Sequence, residues 1–119
     1  MQDFRELKVW QKAHELTLDV YRRTATFPAD ERYGLTAQLR RACVPTAATI
    51  VEGRSRGSDA DFARFLQIAA GSAAEADYHL LLATDLGLLP AEDYSSLGGR
   101  SSEVRKMLAN LILKLKANG

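Results

Sequence analysis

A chain of 119 residues is long enough to bury a hydrophobic core without a disulfide or a structural metal, and we expect one domain spanning residues 1–119. Its 16 basic and 15 acidic residues nearly cancel, whereas a dedicated nucleic-acid module normally carries a larger basic surplus. The single cysteine excludes an internal disulfide, and no apolar run approaches the roughly 20 residues of a membrane span, so we expect a cytoplasmic protein without a membrane segment.

Charge is distributed unevenly along the chain. Segments 28–58 and 91–119 each hold five basic residues against three acidic, whereas segment 59–90 holds one basic residue against five acidic. Opposite charges on different elements of a small domain usually face each other or a neighbouring copy. The pattern therefore predicts charge pairing within the domain or between its copies.

The first segment has the period of an amphipathic helix. Charged residues fill one stripe, and apolar or small residues recur on the other at a spacing of three or four: Val9, Ala13, Leu16, Val20 and Thr24. The following run, TFPADERYG, supplies a proline, an N-cap candidate in Asp30 and a glycine. These residues predict a corner between Phe27 and Leu35.

A second helix is predicted from Leu35 to Gly53, since the apolar period continues through Leu39, Ala42, Thr46 and Ile50. A glycine is a natural C-terminal stop. Pro45 lies inside this helix and cannot donate a hydrogen bond to the carbonyl of Arg41, so we expect a kink there.

A third helix should begin at Ser58 or Asp59, either of which can cap it. Its run of small residues at 69–74 predicts packing on more than one side, with Gly71 at the close approach of another helix. After a corner at GLLPAEDY, a fourth apolar stripe comprises Val104, Met107, Leu108, Leu111, Ile112 and Leu115. Four helices with short connections predict an all-α fold, an antiparallel up-down-up-down four-helix bundle.

Residues suited to catalysis or metal binding are sparse. Glu75 and His79 are four apart and could share a metal, but Gln11 and Ala76 stand where the Glu-x-x-His pairs of di-iron bundles would need glutamate. Cys43, between apolar neighbours, is better explained as a buried thiol than as a nucleophile. We predict no catalytic residue, no metal site and no cofactor.

The charged residues of the second helix fall into two sets. Arg41 and Glu52 share one face, and we predict that they form a structural ion-pair network that reaches Glu75 on the third helix. The other set comprises Arg54 and Arg56, which follow the last apolar residue of the helix, and Arg40, which shares a face with Arg54. Arg40, Arg54 and Arg56 are the candidate nucleic-acid-binding residues. Because no aromatic or Asn/Gln cluster accompanies them, we expect contacts to phosphates rather than to bases.

Five motifs spread over nearly the whole chain carry a family resemblance. They are L-x-V-W-Q-K-A at 7–13, F-P-x-x-E-x-x-G-L-T at 27–36, Q-L-R-R-A at 38–42, Glu52-Gly53 with Arg56, and F-L-x-I-A-x-G-S-x-x-E at 65–75. With these motifs the chain resembles the four-helix-bundle proteins of the 23S rRNA-intervening-sequence family, also labelled S23 ribosomal proteins.

The second helix departs from that family's usual pattern, R-R-A-x-V-S-I-P-x-N-I-A-E-G. Pro45 stands where serine is usual and Ala47 where proline is usual, so the proline has moved by two residues. Thr49 replaces the asparagine and Val51 an alanine. A polar site organised around that asparagine is therefore not expected here.

The resemblance implies a bacterial homopentamer of antiparallel bundles around a central opening, with no enzyme activity. It also implies a basic surface for nucleic acid, as in the related accessory proteins of diversity-generating retroelements. We therefore expect a non-enzymatic oligomeric scaffold with itself as first partner, and with nonspecific RNA or DNA binding. The alternative is a protein-interaction or regulatory ring, with an unknown protein partner and without nucleic-acid contact.

Overall fold

The structure, a computed structural model, describes residues 3–118 and is built from four helices. These are α1 (Lys8–Thr24), α2 (Leu35–Arg54), α3 (Asp59–Asp85) and α4 (Ala91–Asn118). Short 3₁₀ turns, Phe4–Glu6 and Ala29–Glu31, precede α1 and α2. The described range contains no strand, and the prediction of an all-α four-helix bundle is confirmed.

Helices α1 and α2 run in opposite directions, as the contacts between them show. Thr24, at the end of α1, accepts a hydrogen bond from Arg40 near the start of α2, whereas the earlier Thr17 contacts the later Cys43. Ion pairs repeat this reversed order between α1 and α4, where Lys12 lies beside Glu103. Each helix packs against two others, and the described parts of α1 and α3, and of α2 and α4, lie diagonally without close packing.

The core draws large side chains from all four helices. On α1, the buried residues are the five of the predicted stripe. The large side chains that are almost fully buried are Val20, Leu39, Ile50, Leu66, Leu80, Leu97, Val104 and Leu108. Each contributes about 1.5–3 kcal/mol when removed from water, so these apolar contacts dominate the stability of the bundle.

Helix α2 approaches α3 most closely at Gly53. A Cβ atom there would lie 2.7 Å from Cβ of Phe65 and 3.1 Å from a ring carbon of Phe62. Gly71, by contrast, is exposed on α3, and no atom lies within 4 Å of the place where its Cβ would be. The expected close approach at Gly71 is therefore wrong for the single chain, because that position is on the outward face of α3.

Two helix starts illustrate local capping. Ser58 caps α3 as predicted, since its hydroxyl accepts a hydrogen bond from the backbone N–H of Asp61. The start of α2 uses a different residue from the one expected. Glu31, rather than Asp30, accepts from the N–H of Leu35 at 3.0 Å, because the 3₁₀ turn carries its carboxylate back to the first turn of the helix.

Helix α4 begins well before its apolar stripe becomes regular. It starts at Ala91, passes through Gly98 and Gly99, and buries Leu97 and Ser101 before Val104. Helix α2 likewise runs through Pro45 as one helix.

In the described part of the chain, no helix has both the length and the apolar character that crossing a membrane requires.

Candidate nucleic-acid interface

The three candidate arginines lie at opposite ends of α2. Fourteen residues separate Arg40 from Arg54, which corresponds to about 21 Å of helix rise. Arg40 faces the end of α1 and the connection that follows it, whereas Arg54 and Arg56 lie at the corner between α2 and α3. In a single chain they therefore form two separate basic positions rather than one cluster.

The guanidinium of Arg40 is held in place by α1. Its Nε donates to the hydroxyl of Thr24 at 2.9 Å and its Nη2 to the carbonyl of Tyr21 at 3.4 Å. Its Cζ also lies 4.4 Å from the centre of the Tyr21 ring. The side chain is half-buried, and no carboxylate of residues 3–118 forms an ion pair with it. Arg40 is therefore a cation fixed by hydrogen bonds and without a counter-ion among the residues that the structure describes.

At the α2–α3 corner, the arginines stack on two phenylalanines. Arg56 donates to Glu52 at 3.2 Å, and its Cζ lies 4.6 Å from the centre of the Phe65 ring. Arg54 lies over the ring of Phe62 at 5.7 Å. The two phenylalanines are the ones that lie against Gly53, and Glu52 places a carboxylate beside Arg56. The corner therefore has a clear structural role in joining the two helices.

Among residues 3–118, no ion pair joins Arg41 to Glu52 or Glu75, as the predicted network would require. Arg41 and Glu52 share a face of α2 but are separated by about 16 Å of helix rise, too far for a direct contact. Glu52 pairs with Arg56 instead, and Glu75 lies 3.4 Å from Nε2 of His79. Arg41 is exposed. Sharing a helix face was not sufficient, because ion pairs along one helix need a spacing of three or four residues.

Ion pairs between α1 and α4 were not anticipated from the sequence. Arg23 contacts Asp93 at 2.8 Å, Arg100 pairs with both Glu15 and Asp19, and Lys12 lies 3.6 Å from Glu103. The only signal in the sequence is that charges on the polar stripe of α1 recur every three or four residues. Identifying their partners required knowledge of which helix lies beside α1.

Cys43 and the histidines show no sign of catalytic chemistry. Burial, with a smaller contribution from the negative charge of Asp77, raises the pKa of the Cys43 thiol to about 12. A thiol with that pKa is not a nucleophile at neutral pH. His14 stacks on Trp10 at 4.9 Å, and His79 lies beside Glu75. Within residues 3–118, no group of three or more His, Cys, Asp or Glu side chains could hold a metal ion.

Asp77 carries the most constrained charge on α3. Its Oδ2 accepts from Nη1 of Arg105 at 2.6 Å, which joins α3 to α4. Its Oδ1 is buried without a hydrogen-bond partner in the described chain. The positive charge of Arg105 therefore stabilises the negative charge of Asp77, one oxygen of which is shielded from solvent.

The fold and these contacts define an all-α four-helix-bundle protein in which several ion pairs join one helix to another. The family model of the 23S rRNA-intervening sequence proteins matches residues 5–110. The chain belongs to this family. The match names no reaction.

A solved structure supports the same relationship. It is a protein of unknown function from the S23 ribosomal protein family of Bacteroides thetaiotaomicron VPI-5482, and it superimposes with a TM-score of 0.79 at 27% sequence identity. The alignment covers 87% of this chain and 97% of the other. No curated protein matches the sequence.

Proposed function

We propose that this protein is a non-enzymatic homopentameric scaffold that binds RNA or DNA nonspecifically through a basic surface that includes Arg40, Arg54 and Arg56. The observation that carries the nucleic-acid part is the half-buried guanidinium of Arg40, which hydrogen-bonds to Thr24 but forms no ion pair with a carboxylate of residues 3–118. A partly desolvated charge without a counter-ion is costly, and a phosphate of a nucleic acid would offset that cost.

Self-association is supported by the outward face of α3. Gly71, Ala74 and Tyr78 lie along this face, flanked by Ile68 and Leu81. Ile68, Tyr78 and Leu81 are 48%, 58% and 40% exposed, although they are large and apolar or aromatic. Together they form an apolar strip, which we call the α3 strip, with small residues at its centre that would admit another helix closely.

A second apolar area lies on other helices. Leu18 on α1 and Val44 on α2 are 40% and 42% exposed. Because α1 lies diagonally across the bundle from α3, this area and the α3 strip point in different directions. Two different surfaces that pair head to tail generate a closed ring when the rotation closes. The number of five subunits comes from the family resemblance.

In such a ring each basic position is repeated by the symmetry. Binding of RNA or DNA would then depend on contacts to phosphates and on the release of counterions, and it would vary little with the nucleotide sequence. A net charge of only +1 per chain is compatible with this, because the acidic segment 59–90 includes all of α3. In the ring, α3 would be turned towards a neighbouring subunit.

The test measures the mass of the protein in solution and its affinity for RNA and DNA. Multi-angle light scattering should give about five times the chain mass of 13.1 kDa. Binding to a structured RNA and to a DNA duplex, followed by fluorescence anisotropy, should weaken steeply between about 50 and 200 mM salt. Arg40→Ala should lower affinity, and so should Arg54→Glu combined with Arg56→Glu. Arg5→Ala, which removes the same charge from a residue paired with Asp3, should not.

The alternative is a protein-interaction ring without nucleic-acid contact. The pairing of Arg56 with Glu52 and of Arg64 with Asp61 favours it, because these carboxylates partly neutralise the α2–α3 corner. A stable oligomer that binds neither RNA nor DNA at about 50 mM salt would support this alternative. A monomer at micromolar concentration would overturn both forms of the scaffold.

A further inference from the structure

A cleft with a volume of about 340 Å³ lies between the connection that follows α1 and the first turns of α2. Its lining includes two arginines, Arg32 and Arg40, and two threonines, Thr24 and Thr36. None of its lining residues is acidic. The cleft therefore combines a concentration of hydrogen-bond donors with uncompensated positive charge.

Arg40 is positioned before any ligand binds. A guanidinium has five N–H donors, and the contacts to Thr24 and Tyr21 engage two of its three nitrogens. Thr24 is itself fixed, because its hydroxyl donates to the carbonyl of Val20 at 2.8 Å. The remaining donors of Arg40 are free to bind a ligand without reorganisation of the side chain.

Arg32 supplies a second guanidinium to the lining of the same cleft. It is exposed and forms no ion pair with another residue of the described chain. The carboxylate of the neighbouring Glu31 lies at the N–H of Leu35, at 3.0 Å, and does not form an ion pair with Arg32 in the described chain. Thr36, the second residue of α2, brings a hydroxyl at the positive end of the helix dipole.

We infer that this cleft, formed by Arg32, Arg40 and Thr36, binds a phosphate group. Two guanidinium groups and a hydroxyl suit a tetrahedral anion with several acceptor oxygens, and arginine binds such groups through paired N–H donors. The phosphate could belong to a nucleic-acid backbone, in which case the inference rests on the proposed function, or to a small phosphorylated molecule.

The experiment uses two probes on the full chain. The first is inorganic phosphate, added at constant ionic strength against a chloride control, with the melting temperature and isothermal titration as readouts. The second is a fluorescein-labelled 20-nucleotide RNA, followed by anisotropy, with inorganic phosphate as competitor. Phosphate should raise the melting temperature of the unaltered protein, because a ligand that binds only the folded state stabilises it.

Three variants test whether phosphate binds in this cleft or at another basic position. Arg32→Ala, at an exposed residue, should weaken phosphate binding about tenfold, as expected for the loss of one charge-assisted hydrogen bond. Arg40→Lys keeps the charge but loses the Nε contact to Thr24, and it should also weaken binding. Arg5→Ala is the matched control and should bind as the unaltered protein does.

Each outcome has a distinct meaning. If phosphate and RNA compete and Arg32→Ala weakens both, the cleft takes a backbone phosphate. If phosphate binds through Arg32 while RNA does not bind, the cleft takes a small phosphorylated molecule and the nucleic-acid part of the proposed function fails. If RNA binds but Arg32→Ala changes nothing and phosphate does not bind, the inference is overturned while the proposed function stands. If neither probe binds, the inference is overturned, and so is the RNA-binding part of the proposed function.

Discussion

Gly53 sets the distance between α2 and α3. A methyl group at this position would meet Cβ of Phe65 at 2.7 Å, so one of the helices must shift. We expect Gly53→Ala to lower the free energy of unfolding by about 1–3 kcal/mol, as overpacking of a core usually does. Urea unfolding would measure the change.

The matched control for this prediction is Gly99→Ala on α4. Gly99 is exposed, and its Cβ would meet no atom within 4 Å. Alanine is a better helix former by about 1 kcal/mol, so this variant should be as stable as the unaltered chain or more so. Equal destabilisation by both changes would show that Gly53 is not a close contact.

Arg41 and Arg105 should differ in their effect on stability. Arg41 is exposed and has no ion pair in the described chain, so Arg41→Ala should change the free energy of unfolding by no more than about 0.5 kcal/mol. Arg105→Ala leaves Asp77 with one oxygen buried and the other unpaired, and it should cost about 1–3 kcal/mol. A larger effect at Arg41 in urea unfolding would restore the network predicted from the sequence.

At the scale of helices, the sequence predicts features that depend on residues close together in the chain, and it fails for features that depend on packing between helices. The stripe of α1 is local, and each of its predicted residues is buried. The first half of α4 was not recognised as regular, because Gly98 and Gly99 are poor helix formers. Burial of Leu97 and Ser101 against other helices outweighs that preference. The cleft beside Arg40 was inaccessible to sequence reasoning, because Arg40 and Thr24 are 16 residues apart and meet only after α2 turns back along α1.

Pro45 is the clearest conflict between local preference and the observed helix. It occupies the interior of α2, where its ring removes one backbone hydrogen bond. Pro45→Ala should therefore raise the free energy of unfolding by about 1–2 kcal/mol, since part of the gain is offset by packing lost from the half-buried ring. Circular dichroism during thermal unfolding would measure it. A lower melting temperature would mean that a bend at this proline is required for packing against α3.

At the scale of the whole molecule, the α3 strip provides a direct test of assembly. Tyr78 is 58% exposed, and a glutamate in its place would put a charge into the proposed contact between subunits. We expect Tyr78→Glu to shift the mass in light scattering from the oligomer to the single chain. Tyr33→Glu is the control, because Tyr33 is 86% exposed and lies outside the α3 strip. Retention of the oligomer by Tyr78→Glu would place the subunit contact elsewhere.

The seam between α1 and α4 gives the bundle a preferred place to open. These two helices touch over fewer residues than α2 and α3 do, and partly exposed ion pairs such as Lys12–Glu103 line their edge. Salt weakens such solvent-exposed pairs progressively, because the Debye length falls from about 10 Å at 0.1 M to about 3 Å at 1 M. The amide hydrogens of α1 should therefore exchange with solvent before those of α3, and sooner as salt is raised. Opening at this seam would therefore expose the apolar face of α1 before the contact between α2 and α3 is lost.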